Sequence, residues 1–519
     1  MNEALQSQVL EFDAVKSSMT ETVDAVIVGT GCGGAVMAKE LAKAGKSVLM
    51  IERGGFYLPS RGDFDQREDD MFARIDGGRG LDTSRTGQLA LTYGSNVGGA
   101  SVHYWADTWR TPKDRLEKWE REFGVVGHTE EELRPYFERI EKDLNVHPAE
   151  DARLNTMNRL FEAGAQKAGL AVERVMQARK GCVGSGYCLQ GCSYDAKQSQ
   201  LVTHIPEALA AGAKIFADCQ IDRVLMEKGR AVGVVGRFIN RATNLPSGHS
   251  VTVKAKVVII SAGGYQSAPL LMRSGVVSAS GQLGRNLALN PCPQLYGLFD
   301  QDVVMWRNIP AGVGSTALRL HRFEGETYKE GGYLLYPNQL TPAALAALLP
   351  GFGASHRKLM DQAHRIGSAI AWIDDSSGGS VSLDEDLNPV WDYELQALDV
   401  LTVRDALTKQ ATVLFHAGAT EVILPDPKGT KLNGLDELKK LQTVDVEAMM
   451  FAAPHPSSMC RMGSDPSTSV VDCDNQVHGV KGLYVCDPSV FPTAVSVDPS
   501  ETIMAFSYLA AARLLASWS

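Results

Sequence analysis

A glycine-rich turn near the start of the chain has the spacing of a phosphate-binding loop. Gly29, Gly31 and Gly34 follow the pattern Gly-x-Gly-x-x-Gly, and Glu52 follows at the distance typical of a dinucleotide site. The first glycine permits a tight turn, the second lets a pyrophosphate approach the backbone, and the third lets helix and strand pack closely. The motif alone is weak evidence, but with a strand, a helix and an acid in place it predicts a dinucleotide site.

Three cysteines form the second group of residues with a spacing that suggests chemistry. Cys182, Cys188 and Cys192 lie in one glycine-rich loop, in a chain with nine cysteines and no export signal. Such a group suggests metal or redox chemistry before structural disulfides. Zinc usually needs four ligands, whereas a three-iron cluster needs only three thiolates, so the count fits the cluster. Zinc, a Cys188–Cys192 disulfide and buried free thiols remain alternatives.

The elements that must position the glycine turn form a β–α–β unit. Val23–Val28 is a short, apolar, β-branched run and predicts a buried strand, and Ala35–Ala44 predicts the helix that follows the turn. Gly45 ends this helix, and Ser47–Ile51 predicts the next strand. Further along, the pattern predicts strands within Ile221–Val235 and Val251–Ile260 and a last helix over Ser500–Ser517.

Composition and charge exclude several classes of protein. The chain has 519 residues, which predicts two or three interlocked domains, and its net charge is −10 without a basic cluster. Nucleic acid is therefore not expected as a partner. No apolar run is long enough to span a membrane, and residues 1–22 do not resemble a secretory signal, so we expect a cytoplasmic protein.

Several segments resemble the glucose–methanol–choline (GMC) flavoprotein oxidoreductases. Gly94–Val102 resembles their second glycine-rich segment, which lies along the isoalloxazine ring, and Ser261–Gly264 resembles their turn near the cofactor. His455–Gly463 and Gly482–Thr493 match the closing block of the family nearly residue by residue. The matching segments lie throughout residues 23–515, and residues 300–450 match least. They resemble most closely the bacterial relatives of long-chain alcohol oxidases and the Fe–S-containing GMC dehydrogenases.

The resemblance implies an α/β fold with FAD as the cofactor. A discontinuous Rossmann-like FAD-binding domain is expected from residues 1–105, 210–300 and 452–519. An α+β substrate-binding domain is expected from the insertions, residues 106–209 and 301–451. The residues expected to bind FAD are Gly29, Gly31, Gly34, Glu52, Asn96, Gly98, Gly99, Val102, His103, Val224, Ala262, Asp487 and Pro499.

The resemblance also identifies two candidate catalytic residues, His455 and Asp498. Oxidation of an alcohol by a flavin needs a base for the hydroxyl proton, while the hydride passes to flavin N5. A histidine suits the base, and His455 matches the first active-site histidine of the family. The second family position is usually His or Asn, and this chain has Asp498 there. Asp498, Pro499 and Glu501 also fit N-cap, N1 and N3 of the last helix, and a role beside His455 is compatible with capping.

Two cofactor features follow from resemblance to subgroups of the family. His103 matches a position at which some members bond a histidine to the 8α-methyl group of FAD, although a histidine can also pack there without a bond. The cysteine loop resembles that of bacterial GMC sugar dehydrogenases with a [3Fe–4S] cluster, and a similar loop occurs in long-chain alcohol oxidases, where no cluster is implied. A cluster would pass electrons to a cytochrome or similar partner, whereas without one oxygen or a quinone is the expected acceptor.

The substrate is expected to be a small-molecule alcohol, and an apolar alcohol is favoured over a sugar. The segments Gly378–Asp384 and Pro389–Tyr393 resemble the middle of long-chain alcohol oxidases and their bacterial relatives. The alternatives are an Fe–S-containing sugar or polyol dehydrogenase of the same fold and a GMC-fold lyase or decarboxylase. A flavin-binding subunit without activity and an NAD-dependent dehydrogenase also remain.

Overall fold

The computed structural model describes residues 1–78, 82–376 and 378–518. Its larger sheet has eight strands within this part of the chain, and Met19–Val28 pairs in parallel with Val48–Ile51 and Leu245–Ile260. Loops that follow parallel strands meet at the carboxyl edge of the sheet. In spatial order the strands are Val9–Leu10, Lys214–Phe216, Val48–Ile51, Met19–Val28, Leu245–Ile260, Arg230–Asn240 and Cys219–Glu227, with Leu483–Val485 also paired in parallel to Leu245–Ile260.

The β–α–β unit is present, but its helix begins earlier than the sequence predicts. The helix spans Cys32–Lys43 and includes Gly33 and Gly34, which the pattern had placed in the turn. A Cβ on Gly33 would lie 1.8 Å from the carbonyl oxygen of Cys486, so this glycine lets the helix approach the loop that follows the strand Leu483–Val485. Tertiary packing thus overrides the low helix propensity of the two glycines.

The second sheet has five strands in the described part of the chain, and its second strand in spatial order, Ile366–Ile373, is buried along its whole length. Helices Ala397–His416 and Thr156–Lys167 pack against this sheet. Gln294–Leu298, which we assigned to the first domain, pairs with Ile366–Ile373 in this sheet. The five strands in order are Tyr333–Pro337, Ile366–Ile373, Gln294–Leu298, Glu421–Ile423 and Lys431–Leu432.

Smaller elements connect the two sheets. None of the helices in the described part of the chain is both long and apolar enough to cross a membrane. The remaining α-helices are Glu3–Gln6, Glu68–Ile75, Lys113–Phe123, Glu130–Asp143, His204–Ala210, Ser267–Arg273, Pro342–Leu348, Ala354–Met360 and Ser500–Ser517. The remaining strands are Leu89–Leu91, Val146–Pro148, Glu173–Arg174, Met176–Ala178, Arg285–Leu287, Val313–Gly314, Arg322–Glu324, Thr327–Glu330, Gly379–Leu383, Pro389–Asp392 and Phe451–Ala453. Short 3-10 helices span Phe12–Ala14, Pro59–Arg61, Gly99–Val102, Asp151–Arg153, Ala363–Arg365, Leu435–Thr443 and Pro488–Val490.

Candidate active site

A cavity of about 1120 Å³ opens at the carboxyl edge of the larger sheet. Its wall includes the loops that follow four parallel strands, namely Gly29–Gly33, Glu52, Ser261–Gln266 and Asp487. This is where open parallel sheets bind nucleotides. The volume exceeds that of a typical ligand pocket, so the cavity has room for a nucleotide cofactor together with a second molecule.

Two of the three glycines of the first turn are required by close packing within the protein, and the third borders open space in the cavity. A Cβ on Gly29 would lie 2.0 Å from the Ser261 carbonyl oxygen, and a Cβ on Gly34 would lie 2.1 Å from the carbonyl oxygen of Gly29. At Gly31 the nearest atom would be Gly99 Cα, at 3.9 Å, and Gly31 lines the cavity. Packing within the protein therefore requires Gly29 and Gly34, whereas Gly31 keeps space open for a ligand.

Glu52 is buried at the end of its strand and lines the same cavity. Its Oε2 accepts hydrogen bonds from the Thr30 hydroxyl at 2.7 Å and the Thr30 N–H at 3.2 Å, and its Oε1 accepts from the Gly54 N–H at 3.0 Å. Burial raises the pKa of Glu52 to about 7, against the effect of these hydrogen bonds. The carboxyl group is thus held at the place where an acid binds ribose hydroxyls in dinucleotide sites.

The second glycine-rich segment packs directly against the first. The Gly98 N–H donates to the Thr30 hydroxyl at 3.0 Å, and Gly98 has a φ of +106°. The Asn96 amide donates to two backbone carbonyls, while its Oδ1 has no partner. Gly99 lines the cavity, and Val102 is buried in the core nearby.

The remaining expected cofactor residues divide between the cavity wall and the core. Ala262, Asp487 and Pro499 line the cavity. The Asp487 carboxylate accepts hydrogen bonds from Gly263, Ser267 and Ser489, so it links its own loop to the segment that follows the strand Leu245–Ile260. Burial raises the pKa of Asp487. Val224 is buried in its strand away from the cavity wall, which Ile221 of the same strand reaches.

His455 lines the cavity, and Asn290 determines which of its ring nitrogens is protonated. His455 Nδ1 lies 3.0 Å from Asn290 Oδ1, and Asn290 Nδ2 donates to the Ile373 carbonyl. Because this second bond fixes the amide, Nδ1 must carry the proton and Nε2 keeps its lone pair. Burial lowers the pKa of His455 to about 3, so the ring is neutral near pH 7 and Nε2 is able to accept a proton.

Asn290 is itself anchored by a buried carboxyl group. Its backbone N–H donates to Asp375 Oδ1 at 3.0 Å, and the Tyr393 hydroxyl donates to Asp375 Oδ2 at 2.6 Å. Asn290 adopts a left-handed backbone with a φ of +52°. The sequence analysis missed Asn290 and Asp375, because neither belongs to a local motif.

Asp498 does not cap the last helix, so the capping prediction was wrong. The helix begins at Ser500, and Pro499 is its N-cap with an αR backbone and no side-chain hydrogen bond. The helix spans Ser500–Ser517 as predicted, but its N-cap lies one residue later than the capping pattern places it. Asp498 Oδ1 lies 3.6 Å from His455 Nε2. Among the described residues the buried Oδ2 has no hydrogen bond of good geometry, although the Tyr336 hydroxyl lies near the carboxyl group and lowers its pKa. Glu501, the predicted partner in the capping box, is also buried with an unpartnered Oε1.

Asp107 also lines this cavity, although no sequence motif pointed to it. Its side chain is buried, and its Oδ2 has no hydrogen-bond partner among the residues that the structure describes. Ala106, immediately before it, has a φ of +77°, an uncommon backbone conformation for alanine. Its position just after the second glycine-rich segment was the only available signal.

His103 is buried beside the cavity with an unpartnered Nε2. Its ring makes an edge contact with Phe72, with the centroids 6.5 Å apart. Burial, aided by the charge of Lys197, lowers the pKa of His103 to about 3. The imidazole is therefore neutral, with a nitrogen available to a ligand.

The three loop cysteines surround a small second cavity together with Arg179 and Lys197. Arg179 donates to Cys188 Sγ at 3.4 Å, and all nine cysteines are free thiols, so no Cys188–Cys192 disulfide is present. Within the described ranges, no group of three or more His, Cys, Asp or Glu side chains is arranged to hold a metal ion. The loop therefore does not fit the zinc site or the [3Fe–4S] cluster, and free thiols remain.

A sheet with a parallel core and a glycine-rich turn at the wall of a large cavity are typical of dinucleotide-binding proteins. Comparison with known protein families identifies the family to which the chain belongs. Residues 23–292 match the N-terminal model of the GMC oxidoreductases, and residues 375–507 match their C-terminal model. The chain belongs to the GMC oxidoreductase family.

Individual relatives and solved structures are also similar to this chain. An uncharacterized GMC-type oxidoreductase of Mycobacterium tuberculosis is 31% identical over 497 residues, covering 95% of this chain and 76% of that protein. A long-chain-alcohol oxidase of Arabidopsis thaliana is 25% identical over 539 residues, covering 98% and 69%. A formate oxidase of Aspergillus oryzae superposes with a TM-score of 0.73 at 17% identity, covering 97% and 99%. The predicted α/β fold is thereby confirmed.

Proposed function

We propose that this protein binds FAD and oxidises an alcohol to an aldehyde or ketone, with His455 as the base. The observation that carries the proposal is the geometry of His455. Its Nδ1 is held by Asn290, and its Nε2 lies 3.6 Å from Asp498 Oδ1, beyond hydrogen-bond distance, in a ring that lines the cavity. A neutral imidazole with a fixed tautomer is what removal of a hydroxyl proton requires.

The residues around the cavity fit FAD. Gly31 leaves room for a pyrophosphate, and Glu52 stands where ribose hydroxyls bind. The formate oxidase of similar fold is a protein in which FAD modification has been studied. Bound FAD supplies the acceptor for the hydride that leaves the carbinol carbon.

The residues of this chain carry out the proton chemistry. Asn290 holds the His455 ring, and His455 Nε2 receives the hydroxyl proton of the substrate. Asp498 lies 3.6 Å from that nitrogen, so its carboxylate stabilises the imidazolium that forms. No step passes through an iron–sulfur cluster, and we take oxygen or a quinone as the final acceptor.

The substrate in this proposal is an alcohol with an apolar body. The helix Pro342–Leu348 contributes Ala343, Ala344, Ala347 and Leu348 to the cavity wall, and Trp372 lines it beside His455. Such surfaces favour aliphatic chains over sugars. Relatives of the chain include long-chain-alcohol oxidases.

The first experiment is a spectrum of the protein as isolated, followed by anaerobic addition of straight-chain primary alcohols. An oxidised-flavin spectrum that bleaches with an alcohol supports the proposal. Absence of flavin would indicate another cofactor such as NAD. A flavin that no alcohol reduces would favour the lyase or decarboxylase alternative or a subunit without activity.

Substitution of His455 tests its role as the base. His455→Ala should slow flavin reduction about 10²–10⁴-fold because the proton acceptor is lost, while FAD stays bound. Stopped-flow absorbance measures the rate. His364→Ala, at a half-exposed histidine outside the cavity wall, is the control. Reduction of His455→Ala at the rate of the unmodified protein would refute the assignment.

We also propose that His103 Nε2 would take the place of one hydrogen of the 8α-methyl group when FAD is bound, with the proton released and the two electrons taken up by the flavin. Among the described residues this nitrogen is buried beside the cavity without a partner. After acid precipitation the yellow colour should remain in the pellet. In His103→Ala it should move to the supernatant. A colourless pellet from the unmodified protein would show that the flavin is not covalently bound.

A further inference from the structure

Two buried amide side chains line the cavity without a donor for their side-chain oxygens. Asn338 is 2% exposed and Gln190 is 4% exposed, and both belong to the cavity wall. Among the residues that the structure describes, Asn338 Oδ1 and Gln190 Oε1 have no hydrogen-bond partner. Buried polar atoms in native proteins are almost always satisfied, so unpartnered acceptors at a cavity wall indicate that a ligand supplies the donor.

The other end of each amide is held by neutral groups of the protein. Asn338 Nδ2 donates to Gln294 Oε1 at 2.7 Å and to Ser368 Oγ at 3.2 Å. Gln190 Nε2 donates to Thr341 Oγ1 at 3.0 Å, and Thr341 follows Asn338 by three residues. None of these bonds joins either amide to a charged side chain, so this part of the wall is suited to a neutral group of a ligand.

The second sheet gives the separation between Asn338 and the proposed base. Trp372 contacts His455, and their ring centroids lie 5.2 Å apart. Trp372 and Ser368 are four residues apart on the strand Ile366–Ile373, so their side chains lie on the same face of the sheet. At roughly 3.3 Å per residue the two positions are roughly 13 Å apart. Since Asn338 is bonded to Ser368, it lies about this far from His455.

We propose that Asn338 and Gln190 form a subsite for a second hydroxyl group, so that the preferred substrate is an aliphatic alcohol with hydroxyl groups at both ends. A hydroxyl group is neutral and donates a hydrogen bond, as this part of the wall requires. Ile370, which lies between Ser368 and Trp372, lines the cavity, so the methylene groups of the substrate contact an apolar wall. This inference deepens the proposed oxidation of an alcohol at His455 and rests on it.

The separation also predicts the length of the substrate. An extended chain advances roughly 1.2 Å per bond, because a residue with three backbone bonds spans about 3.3–3.6 Å. A distance of roughly 13 Å therefore corresponds to about ten or eleven bonds between the reacting carbon and the distal oxygen. A diol of ten carbons fits this span, whereas a diol of six carbons is too short to reach Asn338.

Anaerobic flavin reduction by three alcohols of similar length tests the inference. The probes are 1-decanol, 1,10-decanediol and 10-methoxydecan-1-ol, whose ether oxygen cannot donate a hydrogen bond. The diol should exceed both others in the apparent second-order rate constant of reduction by about tenfold or more, beyond the twofold statistical advantage of its equivalent ends. 1,6-Hexanediol should show no such advantage over 1-hexanol.

Substitution of the amides tests whether they cause this preference. Asn338→Leu and Gln190→Met retain much of the side-chain volume and remove the acceptor, so each should remove most of the preference for the diol. Gln410→Met is the matched control, because Gln410 is also buried with an Oε1 that has no partner among the described residues, but lies outside the cavity wall. This control should keep the preference. If Asn338→Leu fails to fold, Gln190→Met and the series of chain lengths still test the inference.

Calorimetry on the FAD-loaded His455→Ala variant gives a readout that does not depend on oxidation. 1,10-Decanediol should bind about tenfold or more tightly than 10-methoxydecan-1-ol, because only the diol donates to the amide oxygens. Adding Gln190→Met to this variant should remove most of the difference. The same difference in both variants would show that the amide does not bind the distal hydroxyl.

The outcomes separate this inference from the proposed function. If 1-decanol reduces the flavin and the diol is no better than its methyl ether, the inference is overturned and the proposed function stands. A preference that survives in both Asn338→Leu and Gln190→Met would also overturn it. If no alcohol reduces the flavin, the proposed function fails, and Gln190-dependent binding of the diol decides whether the subsite exists.

Discussion

At the scale of single residues, the chemistry of His455 depends on Asn290, which lies 165 positions earlier in the chain. The amide allows only one tautomer of the ring, and Asp375 holds the backbone of Asn290 in place. A change at Asn290 therefore acts on the base without removing it. Asn290 is a positioning residue.

Asn290→Asp should change the pH profile of flavin reduction. A carboxylate beside Nδ1 favours the charged ring and raises the pKa of His455 from its value near 3. The base works only when neutral, so the rate should fall below the raised pKa, whereas the unmodified protein keeps its rate to lower pH. Stopped-flow measurement of the rate of flavin reduction across pH tests this. On the acid side the rate of Asn290→Asp should be lower than that of the unmodified protein by about tenfold or more.

Asn286→Asp is the matched control for this experiment. Asn286 has a left-handed backbone with a φ of +64°, as Asn290 does, but it does not line the cavity. Its substitution should leave the pH profile unchanged. An unchanged profile in Asn290→Asp as well would show that Asn290 does not control the ring.

Asp498→Asn should raise the reduction potential of the flavin. Reduction places negative charge on the flavin, and a nearby carboxylate opposes it. Since burial raises the pKa of Asp498 to about 7, the carboxylate is present above that pH and is protonated below it. At high pH the rise in potential should be roughly 20–50 mV, equivalent to about 1–2 kcal/mol for a two-electron couple. At low pH the rise should vanish. Dye equilibration measures the potential; no rise at high pH would contradict this.

Local motifs made part of the site predictable. The structure places Gly29, Glu52 and His455 around one cavity, and their cofactor-binding and catalytic roles stay predictions. Asn290 and Asp107 were missed because their roles arise from contacts with residues distant in sequence. No spacing in the chain encodes such contacts, so only the folded structure reveals them.

At the scale of elements, the sequence predicted which segments are helices and strands better than where they begin. The last helix spans Ser500–Ser517 as predicted, but its N-cap is Pro499 and not Asp498. The helix of the β–α–β unit begins at Cys32, three residues earlier than predicted, and its Gly33 packs against Cys486. Helix ends depend on single backbone conformations and on tertiary contacts, neither of which hydrophobic periodicity reports.

Substitutions in the first turn should separate folding from cofactor binding. Gly31→Ala should fold with near-normal thermal stability as the apoprotein, because its φ is −70° and no atom lies within 3.9 Å of the new Cβ. It should bind FAD at least tenfold more weakly, because the Cβ enters the pyrophosphate space. Thermal unfolding and flavin retention measure the two effects.

Gly29→Ala is the contrasting variant. Its φ is +102°, and its Cβ would meet the Ser261 carbonyl oxygen at 2.0 Å, so the apoprotein itself should be destabilised by several kcal/mol. Loss of stability in Gly31→Ala, or full FAD retention in it, would contradict the assigned role of Gly31.

At the scale of the whole molecule, the family resemblance suggested a cofactor domain assembled from distant segments. The larger sheet combines strands from residues 9–51, 214–260 and 483–485, and the bounds of a cofactor domain stay a prediction. Hydrophobic patterning alone could not show this, because it identifies strands but not their partners. The same limit explains why the sequence analysis assigned Gln294–Leu298 to the first domain, since its place in the second sheet depends on pairing with Ile366–Ile373.

The parallel pairing of Leu483–Val485 with Leu245–Ile260 also constrains biosynthesis. Ile260 precedes Leu483 by 223 positions. At a translation rate of roughly 5–20 residues per second, the sheet waits roughly 10–45 s for this strand. During that interval one edge of Val258–Ile260, the apolar end of the strand, lacks its partner on the ribosome, and an unpaired apolar edge is prone to aggregation. Production at lower temperature or with chaperones should therefore raise the yield of folded protein.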